Sequence, residues 1–251
     1  RIRDKNKKDK LDDYNLVNTE FTKNLAIQAA KAGVKRLVFL SSVKVNGEST
    51  DEVSDNIVVK YQKNKVFTHS HLPKPEDPYS ISKFEAEKLL WKVSIKTGLE
   101  VTVVRMPLVY GSGVKGNLER LIKFVKSGLP LPLGRVQNQR SMIGIDNLVN
   151  LLIHCIDHPD AAGKTFLVSD GEDLSTPDLI NHIASSMGRR ARLFDVPIFL
   201  LKIAGCVLGK KKEIDRLIGS LKIDNSYTRE VLNWTPPVSV TEGIRRMIQD
   251  K

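Results

Sequence analysis

Two successive units, each a helix followed by a short buried strand, constrain the fold of this chain most. In the first unit, apolar residues recur at helical spacing from Tyr14 to Lys31, and Gly33 follows as a stop signal. Arg36 to Leu40 is then a short apolar run, which is typical of a strand buried on both faces. Helix, glycine turn and strand are therefore predicted in that order.

The second unit repeats this order after a polar loop that runs from Gly47 to Pro78. A helix is predicted over Tyr79 to Thr97, Gly98 ends it, and Val101 to Val104 is a continuous β-branched run. Two such units in succession predict an α/β fold, a Rossmann-like doubly wound parallel sheet with helices on its faces.

Beyond Tyr110 the pattern changes to helices joined by glycine and proline loops. One strand, Thr165 to Val168, interrupts them. We expect residues 1–109 to form the sheet domain and residues 110–251 a smaller, mainly helical substrate lobe, with residues 146–168 returning to the sheet domain. The predicted helices are Asn117 to Ser127, Asp146 to Asp157, Pro177 to Met187 and Pro197 to Leu208.

The helix predicted from Pro197 to Leu208 is the longest apolar run of the chain. It is too short for a membrane span, which takes about 20 residues, so no stable membrane insertion is expected. We interpret it as a buried helix. Membrane association is the weaker alternative, which arises because Lys210, Lys211 and Lys212 follow directly.

The composition of the chain indicates which class of ligand it binds and in which compartment it works. The net charge of +11 attracts anions, but the basic residues cluster only at Lys5 to Lys10 and Lys210 to Lys212, without interleaved aromatics. An anionic small molecule is therefore expected rather than nucleic acid. Cys155 and Cys206 lie far apart without a metal-ligand spacing, so a reducing cytoplasm is predicted and a thiolate metal site is not.

The candidate chemistry lies where the first predicted strand ends. Ser41 and Ser42 follow Leu40, and the carboxyl ends of parallel strands are where open α/β sheets bind ligands. Tyr79 and Lys83 are four residues apart, so their side chains share one face of a helix. That spacing alone is better explained by an ordinary exposed helix, where Tyr and Lys four apart are commonplace.

Several short segments, in order along nearly the whole chain, resemble the extended short-chain dehydrogenase/reductases, and within them the nucleotide-sugar epimerase, dehydratase and reductase group. The matching segments are Asn18 to Thr22 with Asn24 and Leu25, Gly33 to Arg36 leading into Phe39 to Ser42, Pro78 to Lys83, Arg105 to Gly111, and Leu232 to Trp234.

The resemblance implies the roles of individual residues and the cofactor, NAD or NADP. Tyr79 would be the general acid/base, Ser42 would hydrogen-bond the reacting sugar oxygen, and Lys83 would bind the nicotinamide ribose and acidify Tyr79. Cofactor contacts are implied for Asn18, Ser41, Tyr79, Lys83 and Pro107, and substrate contacts for Lys44, Asn117, Arg140 and Arg216. For Arg216 a solvated helix charge remains an equal alternative.

The implied reaction is epimerisation or keto-reduction at C4 of a UDP-hexose or UDP-N-acetylhexosamine, in surface polysaccharide biosynthesis. A tyrosine has an ordinary pKa of about 10, so its use as a base at neutral pH requires about 4 kcal/mol of phenolate stabilisation. The alternative is a catalytically inactive, truncated relative that binds a nucleotide-sugar or a protein partner. The resemblance also implies a homodimer through helices 14–31 and 79–97.

Two motifs are rejected as sites. Gly111 to Gly116 spells the dinucleotide pattern Gly-x-Gly-x-x-Gly, but no acidic residue closes a following strand about 20 residues later. His154 and His158 are four apart, but a helix end before Pro159 explains them better than a metal. No metal site is predicted.

The chain departs from the family pattern at three places. Nothing before Asn18 resembles the family's glycine-rich first turn, so we expect the fold to lack its first βαβ unit, and we expect those residues to be missing from this sequence rather than from the natural protein. A chain truly truncated there would be inactive. Leu108 stands where many epimerases of the group have Asn, and Asn46 where they have Tyr, which leaves the sugar pose open.

Overall fold

A computed structural model describes residues 13–51 and 66–249. The basic cluster Lys5 to Lys10 and residues 52–65 of the predicted loop lie outside the described residues. Within them the strands are β1 (Arg36–Ser42), β2 (Glu100–Met106), β3 (Leu108–Tyr110), β4 (Met142–Gly144) and β5 (Lys164–Leu167). The helices are α1 (Phe21–Lys31), α2 (Pro78–Thr97), α3 (Asn117–Ser127), α4 (Ile145–Asp157), α5 (Thr176–Ser186), α6 (Ile198–Val207), α7 (Lys211–Ile218), α8 (Ser226–Leu232) and α9 (Val240–Gln249).

The main sheet is parallel, with the strand order β1-β2-β5. β1 and β2 pair along their whole length, from Arg36 opposite Glu100 to Ser42 opposite Met106. β5 pairs with the other side of β2, so residues from the second half of the chain complete this sheet. The prediction of an α/β fold with a parallel sheet is confirmed.

Helices cover both faces of this sheet, because the apolar side chains of its strands alternate between them. Phe39, Val101 and Val103 pack with Ala86 and Leu90 of α2 and with α1. On the opposite face, Val104 and Phe166 pack in a cluster with side chains of α4 and α8. Strands buried on both sides explain the continuous apolar runs of the sequence.

The start of α2 is fixed by local chemistry. Asp77 accepts a hydrogen bond from the backbone N–H of Ser80, and the Ser80 hydroxyl reaches back to the N–H of Asp77, which completes a capping box. Pro78 occupies the first turn, where its missing N–H costs nothing. Gly98, at φ 76°, ends the helix in the left-handed conformation. The capping box and Pro78 thus place Tyr79 in the first turn.

A second apolar core joins the later helices to a small sheet in which β3 and β4 pair in parallel. Tyr110, at the end of β3, donates a hydrogen bond to Asp170 over 2.6 Å. Asp170 also accepts from the N–H of Gly144 and from Asn147, so one half-buried carboxylate ties β3, β4 and α4 together. α3, α5 and α9 pack around this core.

The helix predicted from Pro197 to Leu208 is present as α6, but the prediction that it is buried is wrong. Only Leu201 and Gly205, one turn apart, are buried in α6: Leu201 packs in the second apolar core, and Gly205 lies against α7. The other apolar side chains of the helix are exposed. Among the described residues, no helix combines the length and the apolar character that crossing a membrane requires.

Candidate active site

The fold brings the first turns of α2 to the carboxyl end of β1. The ammonium of Lys83 donates a hydrogen bond to the backbone carbonyl of Leu40 at 3.0 Å and lies 4.6 Å from the centre of the Phe39 ring. Tyr79 stands one helical turn before Lys83, and Ser42 follows two residues after Leu40. The three predicted catalytic residues therefore lie on the two elements that meet at the carboxyl end of β1: Ser42 on β1, and Tyr79 and Lys83 on α2.

Tyr79 is half-buried, and the ring of Tyr14 packs edge-on against it with 5.8 Å between ring centres. Burial raises the pKa of Tyr79 above its ordinary value, and the negative charge of Asp77 and the neighbouring Tyr14 add to the rise. The protein chain by itself therefore keeps this phenol protonated at neutral pH. Phenolate formation requires an additional positive charge.

Burial also acts on Lys83, whose pKa it lowers, while the carboxylate of Glu87 one turn further along opposes the shift. An ammonium has three donors, and the carbonyl of Leu40 uses one of them. The other two suit the hydroxyl groups of a sugar ring. This donor set fits the ribose end of a nicotinamide nucleotide, which is the group the sequence predicts at Lys83.

Ser42 ends β1 and caps the short 3₁₀ turn Val43–Val45. Its hydroxyl oxygen accepts a hydrogen bond from the N–H of Lys44 at 3.3 Å. That bond does not use the hydroxyl hydrogen, which can be donated to a ligand oxygen. Ser42 is buried at the sheet edge where ligands of open α/β sheets bind.

A buried polar network lies beneath these residues, and the sequence reasoning missed its two charged members, Glu87 and Arg105. Ser41 donates to Glu87, and Arg105 of β2 forms a two-point ion pair with Glu87, the shorter contact being 2.6 Å. Arg105 also donates to the side chain of Asn46. An arginine inside the apolar run of β2 was the available signal, because a charge buried in a strand needs a partner. The network joins β1, β2 and α2 directly below the candidate site.

Asn18 and Pro107, two other predicted cofactor contacts, lie on different elements of the fold. Asn18 lies in the π-helical segment Asn15–Glu20 that precedes α1, and its amide donates to the hydroxyl of Ser82 at 3.0 Å. Ser82 in turn donates to the carbonyl of Tyr79, so Asn18 buttresses the turn that carries Tyr79. Pro107 is buried between β2 and β3.

Lys44, a predicted substrate ligand, is neutralised by two carboxylates. Its ammonium contacts Glu48 at 2.6 Å and Asp77 at 2.9 Å. These contacts tie the turn after β1 to the N-terminus of α2. A substrate anion would have to compete with both carboxylates for this charge.

Arg140 and Arg216, two other predicted substrate ligands, are neighbours. Arg140 donates hydrogen bonds to the carbonyls of Arg216 and Gly219, at 2.9 and 3.0 Å. Burial lowers the pKa of Arg140, and the positive charge of Arg216 lowers it further. Asn117, the third predicted ligand from this half, is exposed at the first position of α3.

The two rejected motifs have structural roles. His154 contacts the carbonyl of Leu232 at 2.7 Å through its ring nitrogen, and α4 ends before His158. Within residues 13–51 and 66–249, no group of three potential ligands is arranged to hold a metal ion. In the glycine motif, Gly113 and Gly116 adopt positive φ angles in the turn that leads into α3.

Comparison with known proteins agrees with the predicted relationship. UDP-glucose 4-epimerase of Vibrio cholerae is 43% identical over 237 residues, which are 94% of this chain and 69% of that protein. N-acetyl-alpha-D-glucosaminyl-diphospho-ditrans,octacis-undecaprenol 4-epimerase of Escherichia coli O157:H7 is 24% identical over 250 residues, covering 94% of this chain and 71% of that protein.

Among solved structures, UDP-glucuronic acid 4-epimerase from Bacillus cereus in complex with NAD superposes with a TM-score of 0.69 and 18% identity, over 92% of this chain and 66% of that one. This chain thus spans about two thirds of the length of its relatives, from 66% to 71%. At this identity the solved structure supports the fold.

A family model described as NAD dependent epimerase/dehydratase family matches residues 3–169, which include Ser42, Tyr79 and Lys83. The resemblance read from the sequence is confirmed. The predicted cofactor, NAD or NADP, agrees with the family's description and with the NAD in the solved relative. The chain belongs to the NAD dependent epimerase/dehydratase family.

Proposed function

We propose that this chain is the catalytic and substrate-binding part of a UDP-sugar 4-epimerase that acts on a UDP-hexose or UDP-N-acetylhexosamine. The contact of Lys83 with the carboxyl end of β1, where Ser42 lies, and the position of Tyr79 one helical turn before Lys83 carry the proposal. The 43% identity to a UDP-glucose 4-epimerase supports this reaction in particular. A role in surface polysaccharide synthesis is part of the same proposal.

In the proposed mechanism, the hydroxyl oxygen of Tyr79 takes the proton of the sugar's 4-hydroxyl group and later returns it. Ser42 donates its hydroxyl hydrogen to the same sugar oxygen and holds it in place. A bound nicotinamide supplies the chemistry of accepting and returning a hydride. Lys83, with its two remaining donors, holds the ribose.

Because the pKa of Tyr79 is raised, an additional positive charge must stabilise its phenolate. Burial and Asp77 oppose ionisation, and the charge of Lys83 is itself disfavoured by burial. About 4 kcal/mol of phenolate stabilisation is needed to bring an ordinary tyrosine to neutral pH, and more is needed here. We expect an oxidised nicotinamide to provide the additional positive charge, so that Tyr79 becomes a base only in the loaded enzyme.

The neighbouring Arg140 and Arg216 suit a diphosphate. Two adjacent guanidinium groups repel each other, and a bound dianion removes that repulsion. An arginine side chain also donates paired hydrogen bonds to phosphate oxygens. We propose that these residues hold the UDP diphosphate, with Asn117 as a further polar contact.

The test uses the natural full-length protein with UDP-glucose, UDP-N-acetylglucosamine and a UDP-4-keto-6-deoxy-N-acetylhexosamine. An epimerase converts the first or second into its C4 epimer without net consumption of cofactor. A 4-ketoreductase, the second candidate because the departures at Leu108 and Asn46 leave the sugar pose open, instead oxidises one reduced cofactor for each ketosugar. Binding of the nucleotide-sugars without turnover would support the inactive relative and contradict both enzymes.

Replacement of Tyr79 by Phe removes the acid/base group and little else. Turnover should fall at least about a hundredfold, which is the usual scale for this loss. Tyr227→Phe is the matched control, because Tyr227 stacks on His69 with 4.0 Å between ring centres and belongs to α8. Equal turnover of the two variants would contradict the role of Tyr79.

We also propose a homodimer whose interface is formed by α2 and by the helical segment of residues 14–31. Leu16, Phe21 and Leu25 are exposed along one stretch of chain, and Ile95 is exposed near the end of α2. Large apolar side chains left uncovered together favour a protein interface. Sedimentation should give a dimer for the natural protein and a monomer for Leu16→Ser/Phe21→Ser; a monomer for both would contradict the proposal.

A further inference from the structure

The outward face of α6 is apolar, which is the reverse of an ordinary surface helix. Leu201 and Gly205 face the rest of the protein, and Phe199, Ile203 and Val207 lie on the opposite side of the helix. Their exposed fractions are 60%, 55% and 80%. Surface helices normally place polar residues there. Because these three side chains follow one another at intervals of four, they form a continuous apolar ridge, the α6 ridge.

Positive charge surrounds the α6 ridge. Lys202 lies on the flank of the helix, and Lys210, Lys211 and Lys212 follow it. All four lysines are exposed, and the structure gives none of them an ion pair among the residues it describes. From Ile198 to Ile218 five cationic and two acidic side chains leave a net charge of +3. The surface is thus apolar at its centre and positive at its edge.

The apolar centre and the positive edge of this surface together indicate what binds to it. We propose that the α6 ridge docks on the surface of an anionic lipid bilayer, with its apolar side chains among the acyl chains and its lysines at the lipid phosphates. α6 has 10 residues, so at 1.5 Å per residue it is about 15 Å long and lies in the interface rather than spanning it. The long lysine side chains can keep their charges at the phosphates while their stems lie on apolar surface.

A second copy of the chain fits this surface less well. A two-fold contact places the same patch of both copies face to face, so the lysines of one copy would meet those of the other. A bilayer that contains acidic lipids supplies the opposite charge. The attraction amounts to about 1 kcal/mol for each lysine near such a surface, which is about a fivefold gain in affinity.

The first experiment is flotation of the natural full-length protein with vesicles of phosphatidylcholine, alone or mixed with phosphatidylglycerol, without any nucleotide-sugar. We expect binding to the mixed vesicles, weaker binding at high salt and little binding to phosphatidylcholine alone. Phe199→Ser/Ile203→Ser/Val207→Ser should lower the partition coefficient at least tenfold. Lys210→Gln/Lys211→Gln/Lys212→Gln should lower it about a hundredfold, from about fivefold per lysine.

The matched control, Leu72→Ser/Phe124→Ser/Leu129→Ser, removes three exposed apolar side chains elsewhere and should bind as the natural protein does. The proposal is overturned if the natural protein does not float with the anionic vesicles, or if the control loses as much binding as the α6 variant. It is equally overturned if the α6 substitutions change only the oligomeric state in sedimentation.

A second measurement uses the natural protein and needs no substitution. Cys206 is exposed on α6, whereas Cys155 is buried. Its alkylation by a charged, membrane-impermeant maleimide should slow at least tenfold when anionic vesicles are present and stay unchanged with neutral ones. Binding to vesicles without protection of Cys206 would assign the contact to another surface and reject the proposal.

Discussion

Lys83 donates a hydrogen bond to the carbonyl of Leu40, which joins the first turns of α2 to the last residues of β1. Leu40 is followed by Ser41 and Ser42, so this one contact holds the start of α2 near Ser42, the residue proposed to bind the sugar oxygen. The geometry of the candidate site thus depends on a side chain that also has a proposed role in cofactor binding.

Replacing Lys83 by Met should separate these two roles. We expect turnover to fall at least about a hundredfold, because the ammonium is lost from the proposed ribose site, while the free energy of unfolding falls by only about 1–2 kcal/mol for one lost hydrogen bond to a charged group. Lys88→Met, on the exposed part of the same helix, is the control and should change neither quantity. Steady-state kinetics of the full-length protein and urea unfolding measure the two effects. An equal loss of turnover in both variants would contradict a specific role for Lys83.

The buried pair of Glu87 and Arg105 should be strongly coupled. Glu87→Gln or Arg105→Met alone leaves one buried charge without its partner and should cost about 3–5 kcal/mol of unfolding free energy. The double variant Glu87→Gln/Arg105→Met combines the same two substitutions, removes both charges and should be more stable than either single variant. Urea unfolding of the set measures the coupling; additive losses in the double variant would show that the pair does not act as a unit.

Asp77 should make stability depend on acid pH. Burial by itself would raise the pKa of Asp77, but hydrogen bonds from the Ser80 N–H and the Lys44 ammonium outweigh it and bring the pKa to about 2. Since the folded pKa lies below the ordinary 3.8, the carboxylate stabilises the fold above about pH 4 and loses this contribution as the pH falls toward 2.

Asp77→Asn keeps a capping side chain and removes the charge. At neutral pH it should cost about 1 kcal/mol, a value reduced for the partial exposure of the ion pair. This difference should shrink as the pH falls toward 2. Urea midpoints across this pH range test the prediction, and a constant difference at every pH would contradict it. Because Asp77 also raises the pKa of Tyr79, the variant's activity should rise with pH at a lower pH than that of the natural enzyme.

The two cysteines should differ sharply in reactivity. Cys155 is fully buried, and burial raises its pKa to about 11, although the charge of Arg36 opposes the rise. Thiolate is the reactive form, so Cys155 should be inert in the folded protein and Cys206 should react. A thiol reagent should therefore label one site of the native chain and two after denaturation; two sites labelled at the same rate in the native protein would contradict the burial of Cys155.

Much of the fold near the site follows from local sequence patterns. Apolar periodicity, the glycine stops and the run before Ser41 predicted α1, β1, α2 and β2 in order, because these signals act within a few residues. α9 also has helical spacing, at Val240, Ile244 and Met247, which the sequence reasoning left unused. α7 and α8 are short, so their patterns are weak.

Whether a side chain is buried, and against what, depends on parts of the chain that are distant in sequence. Only the tertiary structure shows this. The apolar run of α6 indicated a helix correctly, but its burial required a partner surface, and the fold provides one only for Leu201 and Gly205. The partner of Arg105 is Glu87, 18 residues away on another element. Spacing on one helix placed Tyr79 and Lys83 one turn apart, whereas the contact of Lys83 with the carboxyl end of β1 depends on how α2 packs on the sheet. Local preferences determine the elements, and long-range packing determines which charges and apolar faces remain available for binding.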